Sequence, residues 1–402
     1  MLTIGDIAKV FDGPHATPKK IESGPYFLSI SSLENGKLDL SKSAHLSDVD
    51  FAKWTRRVIP EAGDILFSYE TRLGEVAMMP AGVTACLGRR MGLLRPDRTK
   101  ILPEYLLYAY QSNAFQEIIR AKTIHGATVD RIALKELPSF PIQVPPLPEQ
   151  QKIVDILKGY DRKLVLNLET NQTLEQMAQA IFKSWFVDFG PVKAKMNSEQ
   201  PEGMDAATAS LFPEKLVESE LGLIPDGWNA VQVGDIVQRL KPKKRYTKKQ
   251  VEPYGKTPVY EQGASILLGF HNDDAGFEAS PEAPVFIFGD HTCITHLSCS
   301  KFDISSNVIP LQGSVRPTIW TYYAIQGKQE FQEYRRHWSE FIIKDVVLPP
   351  VELAEKYAEL VTTKYLMMES LKRQSKELEQ LRDTLLPKLL SGEIELDTTT
   401  NN

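Results

Sequence analysis

Two stretches of the chain carry apolar residues in an alternating four-three step. In the first the positions are Ile153, Leu157, Tyr160, Leu164, Asn167, Asn171, Leu174, Ala178, Ile181 and Trp185. In the second they are Tyr357, Val361, Lys364, Met368, Leu371, Ser375, Leu378, Arg382, Leu385 and Leu389. This spacing predicts two long helices, each with a heptad seam, and a polar Asn at seam positions 167 and 171 fixes register at some cost in stability. Every position of the second seam lies 204 residues beyond its counterpart, and so does the second Pro-Pro pair, at 349–350 against 145–146. Proline has no N–H to donate and presets φ for a helix start, so each pair ends what precedes it and opens a helix. Gly190-Pro191 predicts the first helix's end, and Ser391-Gly392 a cap for the second. At about 1.5 Å per residue, a helix of about 40 residues spans on the order of 60 Å. Such rods, paired antiparallel, suit a spacer.

The same duplication continues outside the helices. LTIGDI at 2–7 matches VQVGDI at 231–236, EAGDILFS at 61–68 resembles EAPVFIFG at 282–289, and AYQSNAFQE at 109–117 resembles AIQGKQEFQE at 324–333. Short β-rich runs such as DILFSYE and ITHLSCSKF lie between Gly and Pro turns, the GDI words read as strand, and 103–119 has helical spacing. The predicted class is α+β: two repeated mixed α/β domains separated by two long helices that form an antiparallel coiled coil. The expected boundaries are 1–144 for the first domain, 145–190 for the central helical region and 191–227 for a polar linker read as extended. Then come 228–348 for the second domain, 349–392 for the distal helical region and 393–402 for a tail.

Composition narrows the setting. The net charge of −5 argues against a nucleic-acid partner until it is divided: residues 1–144 are +2 and 228–350 are +1, while 191–227 are −4 and 351–402 are −3. Two slightly basic domains joined by acidic connectors remain compatible with phosphate contacts. Three cysteines suit a reducing cytoplasm better than a disulfide scaffold. No apolar run reaches membrane-span length and no secretory pattern opens the chain, so no membrane partner is expected.

Four words in order then carry a family resemblance: PPLPEQQKIVDIL, NQTLEQMAQAIFKSWFVDFGPV, LIPDGWNAVQVGDI and LRDTLLPKLLSGEIEL. With them the whole chain resembles the specificity subunit of type I restriction–modification systems. IPDGW precedes the second GDI word and has no counterpart before the first. The resemblance implies two target-recognition domains, each reading one half of a split site in double-stranded DNA. It also implies two modification (methyltransferase) subunits and separate restriction (translocase/endonuclease) subunits as partners. S-adenosylmethionine then belongs to the methyltransferase partner, and no cofactor is expected on this chain. The competing reading of the repeat and rods alone is a coiled-coil adaptor joining two protein-binding modules.

The candidate chemistry fits a reader better than a catalyst. An amino-methyltransferase needs an Asp/Asn-Pro-Pro-aromatic motif; both Pro-Pro pairs here follow aliphatic residues, Val144 and Leu348, and no P-loop is present. His291, Cys293, His296 and Cys299 are ligand types, but their spacing is tighter than that of zinc knuckles, and alternation along a strand divides them between faces. No metal site is expected. KPKKRYTKK at 241–249 holds six basic residues in nine, and Lys243, Lys244, Arg245 and Lys248 are its candidate phosphate contacts. Further DNA-contact candidates are Lys19, Lys20, Tyr69, Thr71, Arg72, Arg89 and Arg90 in the first domain, with Arg335, Arg336 and His337 in the second. HGATVDRI (His125, Thr128, Arg131) and FGDHT (His291, Thr292) resemble loop words of the family.

Overall fold

The computed structural model describes residues 2–34, 36–126 and 129–394, and the chain divides into two compact units. One unit runs up to Leu164 and takes in the chain again from Lys376; the other is Val165–Ser375.

The first unit is built on an antiparallel sheet of β1 (Ala8–Asp12), β2 (Ile65–Ser68), β3 (Val76–Met78) and β4 (Met91–Pro96), in the order β1-β4-β2-β3. Because successive side chains leave a strand on opposite faces, Ile65 and Phe67 enter one apolar cluster and Leu66 another, and all three are fully buried. One face is covered by α1 (Pro103–Gln111) and α2 (Asn113–Ala121) through Tyr105, Leu106, Tyr110, Phe115 and Ile119. The single helix expected over 103–119 is therefore two. Ser112 breaks it, its hydroxyl accepting the Phe115 N–H at 3.3 Å as the cap of α2.

The helix opened by the first Pro-Pro pair, α3 (Leu147–Phe182), is tied to this unit by Gln150. That side chain is fully buried, accepts the Leu102 N–H at 2.8 Å and donates to the carbonyls of Lys100 and Pro145 at 2.9 and 2.8 Å. Ile153, Val154 and Leu157 then join the core beneath.

The second unit repeats the plan. Its sheet has β5 (Val237–Arg239), β6 (Val285–Gly289), β7 (Thr295–Ser298) and β8 (Val308–Gly313) in the order β5-β8-β6-β7, the permutation of the first sheet. α4 (Thr318–Ala324) covers it with the fully buried Trp320. Here the copies diverge. AIQGKQEFQE leaves the helix after Ala324, with Gly327 at φ 68°, so α2 has no counterpart and an irregular segment runs to one helical turn at Trp338–Phe341. The last helix, α5 (Val351–Ser391), ends at Gly392 with φ 72°, the left-handed stop expected of a C-terminal glycine.

Two further expectations are corrected. The GDI words are single helical turns, Ile4–Ile7 and Val233–Ile236, and not strands. Asp6 and Asp235 each accept the backbone N–H three residues earlier, at 2.8 and 3.0 Å, which closes the turn while its two apolar residues are buried. Nor is 191–227 an extended connector. It folds as helices Gly190–Met196 and Ala206–Ser210 and a hairpin pairing Leu216–Ser219 with Gly222–Pro225. Its few apolar residues are the reason: Val192 and Phe212 are buried in the cluster that holds Trp185 and Tyr357, and Trp185 meets Phe212 edge-on at 5.4 Å.

The seam positions face inward within each unit. In the first unit Ile153, Leu157 and Leu389 are buried, Leu164 and Leu385 half-buried, and Arg382 reaches Asp161 at 3.4 Å. In the second, the Tyr357 hydroxyl donates to the Ala178 carbonyl at 3.1 Å while the earlier Asn167 pairs with the later Gln374 and Ser375, so the helices there run antiparallel. Asn167, 1% exposed, donates to Gln374 and Ser375 at 3.0 and 3.1 Å, while its Oδ1 has no partner. Leu174, Ile181 and Leu371 are half-buried, as are Asn171 here and Leu378 in the first unit.

Candidate nucleic-acid interface

In each unit the chain leaves the second sheet strand into a turn that is held by the residue before the central strand. In the first unit the Tyr69 N–H donates to the Arg90 carbonyl at 3.3 Å; in the second the Asp290 N–H donates to the Asn307 carbonyl at 3.0 Å. A downstream segment clasps the same turn. Thr71 N–H donates to Asp130 and Ile132 N–H to Tyr69, at 3.1 and 2.9 Å, and His337 N–H donates to Asp290 at 2.8 Å. Three segments distant in sequence thereby meet at one end of each sheet.

In the first unit this brings together Thr71, Arg72, Arg90, His125 and Arg131, all exposed except the half-buried Arg90. Arg90 Nε lies 2.9 Å from Glu70, Arg72 2.9 Å from Glu75, and His125 3.1 Å from Asp130. Thr128 lies outside the described residues. The Arg89-Arg90 turn is seated by Gly88, where a side-chain carbon would stand 1.9 Å from the Leu28 carbonyl oxygen. Arg89 shares a depression with Lys20, and Lys19 is exposed beside it. Tyr69 does not join this surface. It is 4% exposed, its hydroxyl donates to Asp12 at 3.0 Å, and burial followed by the Asp12 charge raises its pKa.

In the second unit Asp290 is the hub: its Oδ1 accepts the Trp338 N–H at 3.0 Å and Arg336 stands 3.8 Å from its Oδ2. His291 and Thr292 follow on the turn, half-buried, and both His291 Nδ1 and Thr292 Oγ1 lack a hydrogen-bond partner. The basic run reaches the same place through Arg245, which donates to the carbonyls of Ser305 and Val308 at 2.7 and 2.8 Å, on either side of Asn307. Burial, then the nearby Arg239, lowers the pKa of Arg245, and its two carbonyl bonds commit Nη1 to structure. Lys243, Lys244 and Lys248 stay exposed, and Lys244 Nζ lies 4.2 Å over the Tyr246 ring. His337 is fully buried, with Nε2 3.0 Å from the Glu333 carbonyl. Arg335 is bound to Glu333 and Glu340, the latter raising its pKa, and Arg336 stands exposed.

Several residues on these surfaces escape a sequence reading. Asn307 looks like an ordinary turn residue until its bond to Asp290 sets it beside His291. His15, Lys53, Arg56 and Arg57 line a second depression with Asp12 and Trp54. Of these only the Arg56-Arg57 doublet leaves a visible trace in the sequence. The zinc reading gains no geometry: among the described residues no group of three His, Cys, Asp or Glu is placed to hold a metal ion. Cys299 is buried, its thiol pushed up to about 12 by desolvation. No helix among the described residues is long and apolar enough to cross a membrane.

A duplicated α/β domain presenting a polar and basic loop cluster in each copy, with two long helices, defines a two-module architecture. The comparisons make this particular. A model of the type I restriction modification DNA specificity domain matches residues 1–176. The specificity subunit of the type I restriction enzyme HindI of Haemophilus influenzae is 27% identical over 369 residues, covering 75% of this chain and 80% of its own. The MjaIX specificity subunit of Methanocaldococcus jannaschii is 22% identical over 419 residues, covering 96% and 88%. Among solved structures, the type I restriction–modification S subunit of M. genitalium shares the fold, with a TM-score of 0.53 and 17% identity over 99% of this chain and 96% of that one. Residues 1–176 thus resemble the type I restriction modification DNA specificity domain, and the chain as a whole is similar to specificity subunits of type I restriction–modification systems.

Proposed function

We propose that this chain is the DNA-reading subunit of a type I restriction–modification assembly, and that each of its two domains reads one half of a bipartite, asymmetric site. The observation that carries the reading is the pair of equivalent loop clusters. Two of the backbone hydrogen bonds that build them recur in both domains, while the side chains they present differ: Thr71, Arg90 and Arg131 in one, His291, Thr292, Asn307 and Arg336 in the other. One scaffold with two unlike surfaces suits two unlike half-sites. Exposed Lys19, Lys20, Lys243, Lys244 and Lys248 supply phosphate contacts that position each domain, and the clustered polar side chains supply base contacts.

In this reading the chain carries no catalytic centre. It directs two methyltransferase subunits, which bind S-adenosylmethionine, and the restriction subunits that cleave. Equilibrium binding of the full chain to a pool of random duplexes tests it. Affinity is expected to fall steeply as salt rises, and selection is expected to enrich a motif of two separated halves. Binding to no duplex at low salt contradicts the reading and favours a protein adaptor.

A further inference from the structure

We propose that Arg90 and Asn307, the residues immediately before the central strands β4 and β8, each read one base pair, Arg90 in one half-site and Asn307 in the other. This rests on the DNA-reading function above and names residues that give it sequence specificity.

The two positions are equivalent by structure and not by any shared word. Each precedes the strand that lies second in its sheet, and each gives its carbonyl to the first residue of the turn after the neighbouring strand, Tyr69 or Asp290. Each also adopts the left-handed conformation, with φ 69° at Arg90 and 59° at Asn307. Glycine is the residue that fits such a φ without cost. Asparagine is enriched in it for local reasons, whereas arginine is uncommon there, so the turn by itself gives no particular reason for arginine at 90. What the two residues share is the side-chain end. Arginine pairs in bidentate fashion with the O6 and N7 of guanine, and asparagine with the N6 and N7 of adenine.

Their surroundings suit that role. Glu70 at 2.9 Å from Arg90 Nε and Thr71 at 3.4 Å from its Nη1 orient the guanidinium, and among the described residues no protein group bonds its Nη2. Asn307 is exposed, and its amide has no protein partner among the described residues. It stands between the two carbonyls that hold Arg245 of the basic run. The turn it holds carries the unpaired His291 Nδ1 and Thr292 Oγ1. A base edge presented there meets the exposed, unpaired Asn307 amide.

The assignment predicts a G·C pair read by Arg90 and an A·T pair read by Asn307. The test is selection from a random duplex library with the full chain, wild type against Arg90→Gly and Asn307→Gly. Glycine keeps the left-handed backbone, so these variants remove the side chain and leave the turn. Each is expected to lose discrimination at one base pair of one half-site, by about 5- to 150-fold, the equivalent of about 1–3 kcal/mol, with the other half-site unchanged. Asn307→Arg is expected to exchange the preferred A·T pair for G·C. A glycine variant that melts like wild type and keeps the full motif overturns the proposal, as does a uniform loss over all sequences. A wild-type chain that enriches no motif overturns the DNA-reading function itself.

Discussion

At the scale of single residues, burial decides which polar groups are available to a ligand and which are structural. Tyr69, Arg245 and His337 look from the sequence like surface contacts, but His337 is buried against the Glu333 carbonyl and the partners of the other two lie elsewhere in the fold. Asp12 is 57 residues from Tyr69, and Ser305 is 60 from Arg245, distances that no local pattern records. His296 shows the same effect on titration. Desolvation pushes its imidazole from the ordinary 6.5 down to about 4, with Lys372 adding to the shift and Glu369 opposing it. The folded state therefore binds this proton less tightly than the unfolded chain. Its contribution to stability is complete above pH 6.5 and is lost as pH falls toward 4, by on the order of 2–3 kcal/mol. Urea denaturation across that window is expected to show a flatter pH dependence for His296→Gln than for wild type. Equal slopes would place the proton elsewhere.

At the scale of elements, the heptad seams were the most legible feature, because a periodic signal over about 40 residues averages out local exceptions. The seam positions are buried or half-buried as their spacing requires. The GDI turns were misread because four residues are too few for periodicity; only the Asp that closes each turn distinguishes helix from strand. The segment 191–227 was misread from its composition, which conceals how few apolar anchors, Val192 and Phe212 among them, suffice to fold it.

Two substitutions test what holds the helices in place. Gln150→Ala leaves the Leu102 N–H and two carbonyls without their side-chain partner in a buried site. A loss of about 1–3 kcal/mol in chemical denaturation is expected, and an unchanged midpoint would show that water replaces the side chain. Asn167→Leu acts in the opposite sense. It removes a buried amide with an unpaired oxygen, and its partners Gln374 and Ser375 are exposed and half-buried. The melting temperature is expected to rise by a few degrees, on the order of 1 kcal/mol. A fall would mean that the two donated hydrogen bonds outweigh the burial cost.

For the whole molecule, the repeat is the lesson. It was visible as matched words and a common 204-residue offset, and it recurs as one strand permutation in two sheets. The functional surface was legible only in part. Its basic run and loop words stand out in sequence, whereas Asn307 emerges only when the two sheets are compared, because equivalence there lives in backbone hydrogen bonds and φ. The divergence after Ala324, where one copy has α2 and the other an irregular segment, is one structural source of unlike surfaces on a shared frame. If those surfaces read two half-sites, methylome sequencing of a host carrying this chain with its cognate modification subunit is the most direct measurement. The expected result is methylation confined to one bipartite motif, two unequal specified halves around an unspecified spacer, that vanishes when this chain is deleted. Methylation of a continuous motif, or a pattern unchanged by the deletion, would contradict it.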